Sequence, residues 1–520
     1  MTETGLTGAG LLVECLEAEG VEYIFGLPGE QTVPIGRPGV CLATLGPGAT
    51  NLVTGVGNAW LDSSPVVALT SQRDQDEQHK HAHQFVDTTA VFDAVTKRTD
   101  RVKMARTIPE QVRKAFDIAT REAPGATHLE LPEDATLETA PPRARPLHDE
   151  ETPTSGAKPE DVRRVLEHLE TAEHPVILAG NGVIRSGGAD QLRALAERTG
   201  VPVLTTFMGK GAIDGRHELH IGTIGFNEDD YSMCGLKRAD TVLVAGMDYI
   251  EYHPQHWNPE GEKTLLHVAG TQPEIDAYYE VELGLVGDVA RLLEQLADRA
   301  EPIPGTDYSS RLKEFVERET SKHADDDAFP VKPQRLVGDL RTALAPEDIL
   351  ISDVGAHKYW LSRLYPAYEP NTFIVSNGFA SMGIALPGAI AAALTVDDQR
   401  VVAAAGDGGF LMNVQELETA VRLGVDMTVV VFDDEEYAAI TMEQHERYGE
   451  TFGSTFGNPD IPVLAESFGA TGRRVAATDR LEETLAAAVA NDGVDVVDVP
   501  IDPTEAHHLT EELGEIVCPS

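Results

Sequence analysis

Lysine and arginine are scarce in this chain. There are 41 of them against 86 aspartates and glutamates, a formal net charge of −45 over 520 residues. The acidic residues are spread along the whole chain rather than gathered in a tail. Such a surface repels phosphate backbones and acidic headgroups, which excludes nucleic acid or an anionic membrane as a main partner. It is expected instead of a protein from a salt-loving host, kept soluble where self-repulsion is screened. No uninterrupted apolar run of about 18 residues occurs, so no membrane-spanning helix is expected. The opening MTETGLTGAG lacks the basic region and apolar core of a secretory signal, so a cytoplasmic protein is expected. Cysteine is rare as well. Cys15, Cys41, Cys234 and Cys518 lie far apart, and their spacing suggests neither a metal-ligand set nor a disulfide framework. Low-complexity tracts and short repeats are absent.

What is present is an alternation of short apolar runs with amphipathic stretches. Runs at 65–70, 176–179, 241–246, 401–405 and 428–432 are nearly continuous in Val, Leu, Ile and Ala. That pattern predicts parallel strands covered on both faces by helices. Composition divides the chain into three such α/β segments, at 1–150, 158–303 and 329–520, and predicts three consecutive doubly wound domains. The Pro- and charge-rich stretch 129–161 reads as the linker between the first two.

Residues 400–440, "RVVAAAGDGGFLMNVQELETAVRLGVDMTVVVFDDEEYAAI", read as one βαβ unit. Strand 401–405 leads to a helix opened by Asn413 and Val414 and ended by Gly424, and the next strand is 427–432. Asp407 falls just past the first strand, and Asp433 and Asp434 just past the second. Ligands of open parallel sheets bind outside the carboxyl ends of the strands. The unit therefore sets carboxylates at the binding edge, while Gly406, Gly408 and Gly409 permit tight turning and close backbone approach. Oxygen ligands of this kind suit Mg2+, which also favours phosphate oxygens, so a diphosphate bridged to the protein by Mg2+ is expected.

"GDGGFLMNVQELETAV" followed by Asp433-Asp434 resembles the thiamine-diphosphate motif of the acetolactate synthase superfamily. The resemblance implies that Asp407 and the Asp434 side chain bind Mg2+, with the backbone carbonyl of Glu436 as a third protein ligand; Asp433 stands where the family usually has Asn. "ISDVGAHKYW" (351–360) is similar to the segment that helps hold the diphosphate, placing Gly355, Ala356 and His357 near it. "SNGFASMGIALPGAI" (376–390) resembles the pyrimidine-ring loop, with Gly378 in it. Met382 then matches the bulky apolar residue that holds the cofactor bent, and Ala380 the backbone carbonyl facing the 4'-amino group. "CLATLGPGATNLVTGVGNAWLDSSPVVALTSQ" (41–72) and "HQFVDTTAVFDAVTK" (83–97) are similar to the N-terminal pyrimidine-binding domain, with Gln84 at a family active-site glutamine position. The set His79, His81 and His83 reads as a polar loop, because no Cys or carboxylate arrangement completes a coordination set. "PVILAGNGVIRSGGADQLRALAERTGVPVLTTFMGKGAI" (175–213) resembles the middle domain. Gly180 and Gly182 follow a strand there, but Arg185 occupies the third glycine position of a dinucleotide fingerprint. Many acetolactate synthases carry FAD in this domain and several relatives do not, so the resemblance leaves FAD open.

One part of the pattern is missing. Family members activate the cofactor through a glutamate of the pyrimidine domain that hydrogen-bonds its aminopyrimidine ring. That glutamate lies in an Arg-His-Glu-Gln-like stretch between "FGLPGE" and "GRPGVCLATLGPGATN". Both flanks are present and nearly joined, and the helix, strand and helix between them have no counterpart. The residues themselves give the same reading. Stretches 21–25 and 40–44 read as strands, yet the link holds Pro28, Pro34 and Pro38 with Gly26, Gly29, Gly36 and Gly39. A parallel crossover needs a dozen or more residues, usually helical, and this composition forbids a useful helix. A deletion near 30–36 is expected, leaving Glu30 as a weak surrogate and the catalytic residue unknown.

The resemblance implies decarboxylation of pyruvate or another 2-oxo acid with carboligation, and alternatively a catalytically impaired paralogue that binds cofactor or a homologous subunit. Biosynthetic family members carry a Trp after the metal loop that favours 2-oxobutyrate as acceptor; Glu443, beside Met442, stands there. Family sites lie between two subunits, which implies a homodimer or homotetramer.

Overall fold

The computed structural model describes residues 6–24, 38–147, 155–226, 230–306, 308–506 and 518. It divides into two compact units, 1–153 with 378–381, and 154–377 with 382–520. Among the described residues no helix is long and apolar enough to cross a membrane.

Among the described residues the first unit carries four strands, β1 (Gly39–Ala43), β2 (Val66–Gln72), β3 (Arg98–Arg101) and β4 (Ala126–Pro132), all parallel in the order β1-β2-β4-β3. The two central strands are almost wholly buried, as expected of a parallel sheet sandwiched between helices, although they carry polar side chains such as Gln72, His128 and Glu130. Leu52 and Val56 of the helix Pro47–Leu61 and Val112 and Phe116 of the helix Ile108–Thr120 cover its two faces.

The second unit holds two six-stranded sheets. One comprises β5 (Pro175–Ala179), β6 (Val203–Thr206), β7 (His220–Ile224), β8 (Thr241–Ala245), β9 (Thr264–Ala269) and β10 (Val281–Val286), in the order β10-β9-β8-β5-β6-β7. The other comprises β11 (Ile349–Ser352), β12 (Phe373–Val375), β13 (Val401–Gly406), β14 (Met427–Asp433), β15 (Thr471–Arg474) and β16 (Val494–Pro500), in the order β12-β11-β13-β14-β16-β15. Every strand pair is parallel. The fold class is therefore the one expected, three parallel-sheet α/β layers. Each six-stranded sheet has a switch point where the strand order reverses, between β5 and β8 in one and between β11 and β13 in the other. Such crevices are where doubly wound sheets bind ligands.

Four expectations need correction. Residues 21–24 form no strand; Tyr23 and Ile24 are half exposed, and no neighbouring strand offers them a ladder. Residues 25–37, including Glu30 and the suspected scar, lie outside the described residues. The stretch 129–161 is not all linker, since its start completes the buried strand β4 and the helix Glu133–Leu137, and its end enters the helix Pro159–Thr171. The unit at 400–440 has two helices rather than one, Asp407–Met412 and Glu416–Leu423. Asn413 separates them because its side-chain amide turns to the Gly383 carbonyl, 2.5 Å away. Gly424 ends the second helix in the left-handed region, as expected. Lastly, Cys234 and Cys518 form a disulfide across 284 residues, a separation that leaves no local spacing signal.

Candidate cofactor site

At the switch point of the last sheet, three loops leave adjacent strands at their carboxyl ends. The loop after β11 brings Asp353, Gly355 and His357, that after β13 brings Asp407, and that after β14 brings Asp434 and Glu436. Parallel pairing of β11 with β13 and of β13 with β14 fixes their order along the edge.

Asp407 is 1 % exposed, at the start of its short helix. Its Oδ1 accepts from the Gly408 amide at 2.7 Å. Its Oδ2 accepts from the Glu435 amide at 2.8 Å and from Asn458 Nδ2 at 2.7 Å. Asn458 Nδ2 also donates to Asp433 Oδ1 at 2.6 Å and so ties the two loops together. Glu435 has φ 57°, a left-handed turn that folds the Glu436 amide to within 3.3 Å of Asp434 Oδ1. Burial raises the Asp407 carboxyl to about 6, against the pull of its hydrogen-bond donors. Burial, and then the Asp407 charge, raises Asp434 to about 8. A buried carboxylate beside a half-buried one, whose proton affinity it raises, is an unfavourable arrangement that a hard cation relieves.

Gly408 and Gly409 act by close approach rather than by special φ. A Cβ on Gly408 would stand 2.6 Å from the Tyr437 ring, and one on Gly409 3.1 Å from Asp353 Cγ. Gly406 has an ordinary φ of −68°. The His357 ring lies against Gly355 and Gly406, each of whose Cβ atoms would meet it at 3.0–3.1 Å. His357 Nε2 is buried without a hydrogen-bond partner, and burial holds the ring neutral at about 3. A neutral imidazole with a spare buried nitrogen, a two-carboxylate oxygen set and a glycine-lined floor together fit a metal-bridged diphosphate. Among the described residues no group of three or more His, Cys, Asp or Glu side chains forms a metal cluster. The set here holds two carboxylates, so the remaining oxygens must come from the backbone and the ligand.

Sequence reasoning missed the role of Asp353 inside its motif. It is 1 % exposed, and its carboxylate accepts from the Val354, Gly383 and Ala385 amides. It thereby fixes the backbone that follows Met382, and burial raises its carboxyl to about 6. Lys358, also buried, donates to the Ser376 carbonyl and Asn377 Oδ1. In the first unit, Gly378 donates to Asp62 Oδ1 at 2.6 Å, and Ser381 donates to Asn58 Oδ1. Ala380 takes φ 52°, which turns the peptide carrying its carbonyl. Gln84 is exposed at φ 58°, its carbonyl packed where a Cβ on Gly46 would fall. His79, His81 and His83 lie in an exposed loop without regular structure.

The first turn of the middle sheet carries its own carboxyl group. At its switch point, Gly180 and Gly182 press on Gly246, which has φ 59°. The amide of Asn181, where a dinucleotide's pyrophosphate would bind, donates to both carboxylate oxygens of Glu251 at 3.1 Å. The Asp248 amide and the Thr206 hydroxyl donate to the same carboxylate. Arg185 pairs with Asp248 at 2.7 Å. The turn is filled by the chain's own carboxyl group, which burial raises to about 7, and these residues do not fit a flavin dinucleotide.

The chain matches three domain families in order. Residues 34–91 match the thiamine pyrophosphate enzyme N-terminal TPP binding domain, 162–296 the central domain, and 353–499 the C-terminal TPP binding domain. It is 32% identical to an acetolactate synthase of Bacillus subtilis, covering 98% of this chain and 96% of that protein. It is 32% identical to a probable acetolactate synthase large subunit of Methanocaldococcus jannaschii (98% and 94%) and 31% identical to a catabolic acetolactate synthase of Raoultella terrigena (95% and 95%). The first alignment spans 552 residues, more than the chain contains, so that relative carries segments without counterpart here. The chain belongs to the thiamine-diphosphate-dependent acetolactate synthase superfamily.

Proposed function

We propose that the chain is a thiamine-diphosphate- and Mg2+-dependent enzyme that decarboxylates pyruvate or another 2-oxo acid and joins the product to a second carbonyl compound. The observation that carries this reading is the pair of carboxylates, buried Asp407 and half-buried Asp434, on neighbouring loops at the carboxyl edge of the last sheet. Asp407, Asp434 and the Glu436 carbonyl would hold Mg2+, and Gly355, Ala356, His357, Gly406, Gly408 and Gly409 would line the diphosphate. Met382 and the Ala380 carbonyl, with Gly378 and Gln84, would face the ring end. When bound, thiamine diphosphate supplies the electron sink for breaking and making a bond beside a carbonyl. The protein's share is to place that group, keep His357 neutral, and exclude water with the apolar side chains around β13 and β14. The assignment of domains is 1–150 to the pyrimidine end, 158–303 to the middle and 329–520 to the diphosphate end, in a homodimer or homotetramer.

A second reading has its own support. Among the described residues, which leave out 25–37, the first sheet has four strands where the others have six, and the N-terminal family match begins only at residue 34. A chain without the strand that carries the activating glutamate would bind cofactor and turn over poorly. One experiment separates the two: hydrogen–deuterium exchange at C2 of thiamine diphosphate on the purified protein with Mg2+ in high salt. Exchange faster than in free cofactor supports the enzyme. Exchange at the free rate with normal cofactor binding leaves the impaired reading.

A further inference from the structure

Residues 376–384 run from β12 to the helix Ala385–Ala393 as neither helix nor strand. They include Gly378, Ala380 and Met382, assigned above to the ring end of the cofactor. Ala380 at φ 52° and Gly383 at φ 86° both lie in the left-handed region. Alanine keeps that conformation only where its surroundings over-determine it. A loop without a ladder or helical turn of its own must be fixed by side chains from elsewhere.

Two buried side chains of opposite charge do this, both from the segment that follows β11. At the far end of the loop, the Asp353 carboxylate accepts from the Gly383 and Ala385 amides. At the near end, Lys358, in the first turn of the helix Ala356–Leu364, is 5 % exposed. Its ammonium donates to the Ser376 carbonyl at 2.8 Å and to Asn377 Oδ1 at 2.7 Å. The Asn377 amide is held from both sides, because its Nδ2 donates to the Glu251 carbonyl at 2.7 Å. Glu251 is the residue whose side chain fills the turn of the middle sheet. The start of the loop is thereby referenced to both sheets of the second unit.

Burying an ammonium is costly, and a methionine of the same length would pack there without that cost. The charge serves the loop. Its neighbour on the helix serves the other end of the site, since the His357 ring lies against Gly355 and Gly406. Successive helical residues project about 100° apart. One helical turn thus sends His357 to the diphosphate floor and Lys358 to the ring loop.

We propose that Lys358 is a positioning residue for the ring end of thiamine diphosphate: it holds the start of the loop while Asp353 holds its end, and together they set the Ala380 carbonyl and Met382. This rests on the reading of the cofactor site given above.

The test compares two ligands by calorimetric titration of the full-length protein with Mg2+ in high salt. Thiamine diphosphate engages both ends of the site, and inorganic pyrophosphate only the diphosphate end. The unaltered protein binds thiamine diphosphate more tightly, and the excess belongs to the ring end. Lys358→Met weakens thiamine diphosphate about tenfold or more, the worth of a hydrogen bond to a charged group. Pyrophosphate affinity changes by less than about twofold, as for a site that does not share the lost contact. Asn377→Leu, which leaves the ammonium its Ser376 carbonyl, gives the same split. Asp407→Ala loses both ligands. The proposal is overturned if the Lys358 and Asn377 variants weaken both ligands alike, as a general loss of structure would, or if they leave thiamine diphosphate affinity unchanged. An unaltered protein that binds neither ligand overturns the cofactor-site reading and the proposal with it.

Discussion

Asp434→Asn separates a carboxylate kept for ligand binding from one kept for structure. In the metal-free protein the Asp434 carboxyl is raised to about 8 from an ordinary 3.8, by burial and by the Asp407 charge. The unfolded chain releases that proton near pH 4, whereas the folded chain keeps it up to about pH 8. Stability contributed by this group is therefore full at acid pH and is lost as pH rises toward the folded value. At pH 7 the accumulated cost is up to about 4 kcal/mol, at 1.36 kcal/mol per unit of pKa shift. Asparagine keeps the size and still accepts from the Glu436 amide, but has no charge to desolvate. The variant is expected to raise the thermal midpoint of the chelator-treated protein by roughly 3–5 °C at pH 7. The gain shrinks toward pH 5. The same variant lowers the Mg2+-dependent affinity for thiamine diphosphate about hundredfold, read by calorimetric titration. Opposite signs in the two assays are the signature of a residue whose apo-state strain serves a ligand. A destabilised apo-protein with unchanged cofactor affinity would refute the reasoning, because Asp434 would then be an ordinary structural carboxylate.

Burial raises the Asp353 carboxyl to about 6. The folded state therefore holds a proton that the unfolded state has lost, and stability falls by about 1.4 kcal/mol between pH 5 and pH 7; Asp353→Asn should flatten that slope in unfolding titrations, and an unchanged slope assigns it elsewhere. Arg363→Met strands the buried Asp230 carboxylate and is expected to cost about 3–5 kcal/mol, most of it recovered by adding Asp230→Leu; a non-additive cycle in urea unfolding checks this. Burial pushes the Cys15 and Cys41 thiols to about 11 and about 12. A thiol reagent at pH 8 should find none in the folded protein, two in denaturant and four after reduction, and four without reductant would exclude the Cys234–Cys518 bridge. With a net charge of −45, the unfolding midpoint should rise from 0.1 M to about 2 M KCl as the screening length falls to a few ångströms; an unchanged midpoint would remove the salt-adaptation reading.

The last sheet was the most legible part of the sequence. Buried parallel strands such as β13 and β14 are written as unbroken Val and Ala, and Asp407 and Asp434 fall where such strands end. Partners that come from far along the chain were not legible. Asn458, which links Asp407 to Asp433, has no marking of its own. Asp353 was visible only as a letter in a motif, because its work is to accept amides some thirty residues away. Cys234 and Cys518 carry no signal of pairing at their separation. Residues 21–24 carried strand-like letters, but a strand exists only where a neighbour can pair with it.

The carboxylate of Glu251 in the middle sheet has a consequence for how the chain matures. A dinucleotide-binding turn that waits for its phosphate is incomplete until the cofactor arrives, and its folding is tied to cofactor supply. Here the partner group is encoded in the chain and reaches the Asn181 amide as soon as β8 is in place. The turn of the middle sheet is thus closed by a side chain of the same chain, and its amide needs no phosphate as a partner.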